Sequence, residues 1–311
     1  MNADAYFEIG ASHTVCEDYA LAGTVDDLSY AIVSDGCSSS KDTDLGARLL
    51  AHIAKDVLLY LKQRKVLYNG AFIHGQFVNL FEELVIKKAQ EVRTALQLKV
   101  DVFDATLLVA ASIGPYQRIA YVRGDGYVIA KKKNGVSQVF TLNYESNAPY
   151  YLSYEMSFDK KTAYEQQYGD VPIYYEEYVI GSEGSITLME KEDCPAKYGG
   201  FYQTFDNGSK PAESLANLKI QDILRFTDTI QLAVSSDGLN TYEYDPKITW
   251  PEGERPKNPG VMDIIPHVTG FKNMVGQFAV RRMNRFRRDC EKDHIIHQDD
   301  VSVAAIYGYE E

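Results

Sequence analysis

The sequence predicts an α+β chain of antiparallel hairpins and helices, and three features carry that prediction. Short apolar runs of strand length come in pairs separated by turns, as in 19–33 and 104–122. Two long amphipathic stretches follow the first pair, and helices packed on a sheet are the expected result. Several runs also end or begin at a carboxylate, as in Ser34-Asp35-Gly36, Gly124-Asp125-Gly126 and Ser236-Asp237-Gly238.

Glu17 and Asp18 precede a short strand, Tyr19 to Ala22, and a turn through Gly23 to Leu28 leads into the apolar strand Tyr30 to Val33. In an antiparallel hairpin the start of the first strand lies beside the end of the second, so Glu17 and Asp18 are expected to meet Asp35. A helix follows from about Thr43 to Lys62. Its core stripe is Leu45, Leu49, Ile53, Val57 and Leu61, widened by Leu50, Ala54 and Leu58. After a break at Asn69-Gly70, a second helix from about Gln76 to Leu98 presents Phe77, Leu80, Phe81, Leu84, Val85, Val92 and Leu96.

The next hairpin runs out from Asp104 to Ser112, turns at Gly114-Pro115 and returns through Arg118 to Val122. Asp104 and Asp125 are expected at one edge. Tyr127 to Ala130 continues as strand toward a tight turn at Asn134-Gly135, and Lys131, Lys132 and Lys133 read as a solvated edge that discourages pairing. From about 141 to 211 the texture changes. Nine of the 23 tyrosines lie between Tyr144 and Tyr178, either on extra strands with hydroxyls outward or on a flap over the site.

Thr229 to Leu239 repeats the strand-Ser-Asp-Gly pattern at Asp237. Pro246 to Pro259 reads as a loop, and about Val261 to Glu291 as helix in pieces. Arg281, Arg282, Arg285, Arg287 and Arg288 there read as a solvated face rather than a docking surface. Asp299 and Asp300 open the last strand. If it pairs antiparallel with the strand before Asp237, these carboxylates share an edge.

Composition bounds the function. The chain of 311 residues buries a sizeable core and is read as one domain, 1–311. A net charge of −12 argues against nucleic acid and, more mildly, against an anionic membrane surface. The start, Met1 to Gly10, lacks a signal-peptide pattern, and no apolar run reaches membrane-spanning length. A cytoplasmic protein is expected. Cys16, Cys37, Cys194 and Cys290 form no Cys-x-x-Cys pair, which fits a reduced compartment.

Glu17, Asp18, Asp35, Asp104, Asp125, Asp237, Asp299 and Asp300 all fall at strand ends. Gathering so many like charges raises pKa values and destabilises a fold unless cations compensate. All-oxygen ligation without paired His or Cys favours magnesium or manganese, with calcium still open.

In these motifs, taken in order, the chain resembles the metal-dependent protein serine/threonine phosphatases of type 2C. The residues that carry the resemblance are Glu17-Asp18, Val33 to Gly36, Asp104 to Leu107, Gly124 to Gly126, Ser236 to Leu239 and Asp299 to Val303. The resemblance implies a four-layer αββα sandwich, two antiparallel sheets flanked by helices, with two Mg2+ or Mn2+ ions at one end. It implies that Asp35 bridges both ions, that Asp237 and Asp299 complete one, and that the Gly36 carbonyl and Glu17 serve the other. Asp125 matches the ligand of a third ion, and Asp18 joins the acidic set beside Glu17.

The chain departs from the family pattern at two positions. His13 stands where many members carry a phosphate-gripping arginine, and Cys37 where eukaryotic members carry a histidine after Asp-Gly. His13 is therefore a candidate for phosphate binding and for proton transfer beside Asp35 and Asp237. The implied partner is a phosphorylated protein, such as the target of a cognate kinase. A non-catalytic phosphoprotein-binding module and a small phosphate-ester hydrolase remain alternatives. The Cys-x5-Arg cradle, the Gly-x-Ser-x-Gly elbow and the phosphate-binding Gly-x4-Gly-Lys loop are all missing from the sequence.

Overall fold

The structure is a computed structural model, and it describes residues 1–65, 76–113, 117–193, 201–202, 229–251 and 253–308. The elements in chain order are β1 (Asn2–Glu8), β2 (Tyr19–Val25), β3 (Leu28–Ser34), α1 (Thr43–Gln63), α2 (Gln76–Ala95), β4 (Leu107–Ile113), β5 (Gln117–Arg123), β6 (Tyr127–Lys132) and β7 (Ser137–Tyr144). There follow α3 (Leu152–Glu155), α4 (Phe158–Tyr168), β8 (Ile173–Ile180), β9 (Ile186–Asp193), β10 (Phe201–Tyr202), β11 (Thr229–Ser235), β12 (Tyr242–Tyr244), α5 (Val261–Thr269), α6 (Phe278–Asp293), β13 (Ile295–His297) and β14 (Val301–Tyr307). Short 3-10 helices span Val100–Phe103 and Asp237–Thr241.

A seven-stranded sheet has the order β1-β14-β11-β6-β7-β8-β9 and a five-stranded sheet the order β10-β5-β4-β3-β2, with antiparallel pairing throughout. A strand side chain alternates between two faces, and here both faces are covered. From β3, Tyr30 and Ile32 pack toward α1 and α2, while Ala31 and Val33 pack toward the other sheet. From β11 and β14, Val234 and Ala304 face the five-stranded sheet, while Ala233, Val303 and Ala305 meet α5 and α6. The result is four layers, αββα. Covering both faces explains why these strands read as continuous apolar runs rather than as alternating ones.

Several expectations need correction. The first turn is only Asp26-Asp27, because β2 runs on to Val25 with Gly23 opposite Tyr30 inside the ladder. Leu45 and Leu96 are exposed, at 37% and 56%, while Ile53, Val57, Leu61, Leu50, Ala54 and Leu58 are buried as expected and are joined on the inner face of α1 by Ala47 and Ala51. Leu96 lies past the end of α2. Lys131 and Lys132 do not mark an edge, since β6 is an inner strand where Lys131 pairs with Ser137 on one side and Gln231 on the other. Asp104 does not begin a strand. It closes the Val100–Phe103 helix, and β4 starts at Leu107. The turns at Asn69-Gly70 and Gly114-Pro115, and Cys194, lie outside the described residues. Strands β1 and β12 and helices α3 and α4 gave no readable signal.

Gly46 shows how tightly α1 is seated. A methyl group there would fall 1.6 Å from the Val102 carbonyl oxygen. Alanine improves helix propensity by about 1 kcal/mol, but backbone cannot yield to that overlap. Gly46→Ala is therefore expected to destabilise the chain by roughly 2–3 kcal/mol, read as a lower urea midpoint at unchanged m.

Candidate metal and phosphate site

The two sheets bring their strand ends together at one end of the sandwich. Tyr19 pairs with Ser34, which sets Asp18 beside Asp35. Ser235 pairs with both Tyr127 and Val303, which sets Asp125, Asp237 and Asp299 around the end of the other sheet. Asp125 lies between Gly124 and Gly126, whose φ values of 91° and 121° no other residue adopts without strain.

Asp35 is fixed by its backbone. Its N–H donates to Thr106 Oγ1 at 3.0 Å, and its carbonyl accepts from Thr106 N at 2.8 Å. Its carboxyl lies beside those of Asp18 and Asp237 and couples electrostatically to both. Loss of solvation, then Asp18, Asp237 and Asp125, push the Asp35 pKa well above the carboxylate range. Burial first and Asp237 second do the same to Asp125. Burial raises Asp18 to about 7, against a 2.7 Å hydrogen bond from Ser236 Oγ to its Oδ2. Asp18 Oδ1 is buried without a hydrogen-bond partner.

The loop before β2 is held by Asp300, a buried residue that accepts from Gly10 N at 2.7 Å and from Glu17 N at 2.5 Å. Glu17 Oε1 accepts from Thr43 Oγ1 at 3.2 Å, and the Gly36 N–H donates to the Glu17 carbonyl at 3.2 Å. His13 lies between the two last-strand carboxylates, with Nε2 3.3 Å from Asp299 Oδ1 and Nδ1 3.1 Å from Asp300 Oδ2. His297 places Nδ1 2.8 Å from the Asp299 carbonyl and Nε2 2.7 Å from Glu8 Oε1. Burial disfavours charge on His297, but these two acceptors outweigh it and raise its pKa.

The structure thus gathers Asp18, Asp35, Asp125, Asp237 and Asp299, with Glu17, the Gly36 backbone and His13 adjoining. Asp104 is the exception. It turns to the 141–211 insert, where Lys160 Nζ lies 2.6 and 2.7 Å from its oxygens and Ser153 Oγ donates to it at 2.5 Å. It also accepts from Ser40 Oγ at 2.8 Å. Sequence reasoning missed the supporting hydroxyls. Ser34 donates to the Thr106 carbonyl at 2.6 Å and Ser236 to Asp18, so the serine of each Ser-Asp-Gly repeat was the available signal. It also missed Tyr151, 8% exposed, which the insert brings beside Cys37.

The donor chemistry fits a hard cation, since every donor is oxygen and the carboxylates need opposite charge. Their contacts run in pairs, however. Among the described residues no group of three or more His, Cys, Asp or Glu side chains closes on one point that could hold an ion.

A family model described as protein phosphatase 2C matches residues 9–255. No curated protein matches the chain significantly. Among solved structures, a serine-threonine phosphatase 2C from Toxoplasma gondii is 10% identical, with 98% of this chain and 94% of that one covered at TM-score 0.49. A bacterial serine phosphatase is 10% identical over 100% and 99% at TM-score 0.47. RsbX in complex with magnesium is 12% identical over 97% and 92% at TM-score 0.41.

Repulsion and cation relief give opposite signs that can be measured separately. Asp35→Asn is expected to raise the thermal midpoint of chelator-treated protein by a few degrees. Wild type at a hundredfold excess of Mg2+ or Mn2+ over Kd should gain about 2.7 kcal/mol, or roughly 5 °C, and Asp35→Asn should not. Differential scanning fluorimetry reads both; a wild type indifferent to both metals contradicts the site.

Proposed function

The chain belongs to the protein phosphatase 2C family, and from that premise we propose that it is a magnesium- or manganese-dependent phosphatase acting on phosphoserine or phosphothreonine in proteins. The observation that carries this reading is Asp35, anchored at a strand end by two hydrogen bonds to Thr106 and set beside carboxylates from two other segments, Asp18 and Asp237.

Asp18, Asp35, Asp237 and Asp299, with Glu17 and the Gly36 carbonyl, would hold the ions, and Asp125 a further one. Bound divalent ions would supply Lewis acidity toward a phosphate oxygen and make water a better nucleophile near neutral pH. The chain's own part is positioning. Thr106 fixes Asp35, Ser236 fixes Asp18, and His297 fixes the backbone of Asp299. Asp300 holds the loop that carries Glu17.

His13, assigned above to phosphate binding and proton transfer, has both ring nitrogens within ion-pair distance of carboxylates. In this arrangement its better role is to hold Asp299. Burial works against its charge, while Asp300 and Asp299 raise its pKa overall. Engagement of His13 where many members place arginine also favours a second reading, a module that binds phosphoprotein and turns it over poorly.

Turnover divides the two readings. Wild type is expected to hydrolyse p-nitrophenyl phosphate and phosphoserine peptides with Mn2+ or Mg2+ and to stop on chelation. Asp237→Asn should lower kcat by roughly a hundredfold or more, the scale on which one electrostatic stabiliser acts. Binding of phosphopeptide without hydrolysis would select the second reading.

A further inference from the structure

A cavity of about 280 Å³ opens from the carboxylate cluster. Asp125 and Asp237 form one end, and the rest lies over β6, β7 and β8 beside the first turn of α5. Its polar lining includes three carboxamides, Asn143, Asn147 and Asn240, with Thr141 and the tyrosines Tyr127, Tyr144 and Tyr178, and Leu142, Val261 and Met262 are its apolar part. Glu176 also lines it, but its carboxylate is taken by Lys191 Nζ at 2.8 Å and Tyr178 Oη at 2.7 Å.

The chemistry of this lining is selective. A carboxamide both donates and accepts, which matches the N–H and C=O of a peptide main chain. No lysine or arginine is among the lining residues. An acidic side chain or a second phosphate would therefore meet no cation and would face Asp125 and Asp237. The stem of a neutral or basic side chain can lie against Val261 and Met262 while its head stays polar. The volume is at the small end for ligand pockets, enough for a residue or so rather than a long segment.

We propose that this cavity takes the peptide residue next to the phosphorylated one, gripping its main chain through Asn143, Asn147 and Asn240 and rejecting an acidic side chain at that position. The assignment rests on the phosphatase reading, with Asp125 and Asp237 at the reacting end. Asn143 and Asn147 come from the 141–211 insert, so the insert supplies part of this grip, and Asn240, Val261 and Met262 supply the rest.

The test uses phosphoserine peptides that differ only in having Lys, Gln or Glu at each neighbouring position, with p-nitrophenyl phosphate as a substrate too small to span the cavity. At one neighbouring position the Glu peptide is expected to show at least tenfold lower kcat/KM than the Lys or Gln peptide. Asn147→Gly keeps the left-handed backbone at φ 52° without strain, and Val261→Trp fills the cavity. Each should lower the peptide-to-aryl-phosphate ratio of kcat/KM at least fivefold. Equal losses on both substrates, or Glu peptides cleaved as fast as Lys peptides at every position, would overturn the assignment. Failure of wild type to cleave either substrate with Mg2+ or Mn2+ would refute the phosphatase reading alone. Anisotropy of labelled phosphopeptides then decides on the cavity, which requires tighter binding of Lys than Glu peptides and loss of that difference in Val261→Trp.

Discussion

Asp18, Asp35, Asp125 and Asp237 lie within electrostatic reach of one another at the end of two stacked sheets, and their repulsion is opposed by backbone that has no room to move aside. Strand ends are suited to this. The ladder fixes where each chain stops, and the residue just past the last pair inherits that position. Asp35 follows Ser34 directly, and both its backbone groups are tied to Thr106, just ahead of the neighbouring strand β4. A loop-borne carboxylate would swing outward to escape its neighbours. These carboxylates respond by binding protons instead, which is what raised pKa values mean.

Such a frame needs a rigid interior, and the sheet interface supplies it with small residues. Ala31, Ala110, Ala130 and Ala304 face inward, so the sheets approach closely and leave little freedom to slide. Larger side chains lie on both sides of the sheets, Phe81, Phe103 and Phe286 under the helices and Phe140, Tyr144 and Tyr175 in the same inner cluster as these alanines. Near the site the interior turns polar. Ser34, Ser235, Ser236 and Ser302 are buried there, and the hydroxyls of Ser34, Ser235 and Ser236 donate to carbonyl or carboxylate oxygens. Each is small enough to leave packing intact while satisfying an acceptor that water no longer reaches.

The hairpins and the two long helices were legible because they depend on local pattern, and the meeting of Asp18 with Asp35 was legible because it follows from antiparallel pairing within one hairpin. What escaped depends on long-range partners. Asp104 sits at the start of a strand-like run just as Asp125 sits at the end of one, yet Lys160, 56 residues away, claims it. Lys131 looks like an edge residue, but a central strand accommodates it because only its backbone must pair. β1 was invisible for the opposite reason, since its side chains are only partly buried and its sequence alternates weakly. The Ser-Asp-Gly repeats were read for their carboxylates alone; their serines carry half of the structural information.

The tyrosine-rich insert joins the two readings that its sequence left open. β8 and β9 extend the seven-stranded sheet, and Tyr144, Tyr150, Tyr164 and Tyr175 are buried rather than facing outward. Tyr154 of α3 and Tyr164 of α4 lie with ring centroids 5.0 Å apart, which binds the two helices into one unit. The same unit reaches the site at two separate points, Tyr151 on Cys37 and Lys160 with Ser153 on Asp104. Asp104 lies two residues before Thr106, and Thr106 holds Asp35 by two hydrogen bonds. A displacement of the insert would therefore pass through a short, covalently connected segment to the central carboxylate.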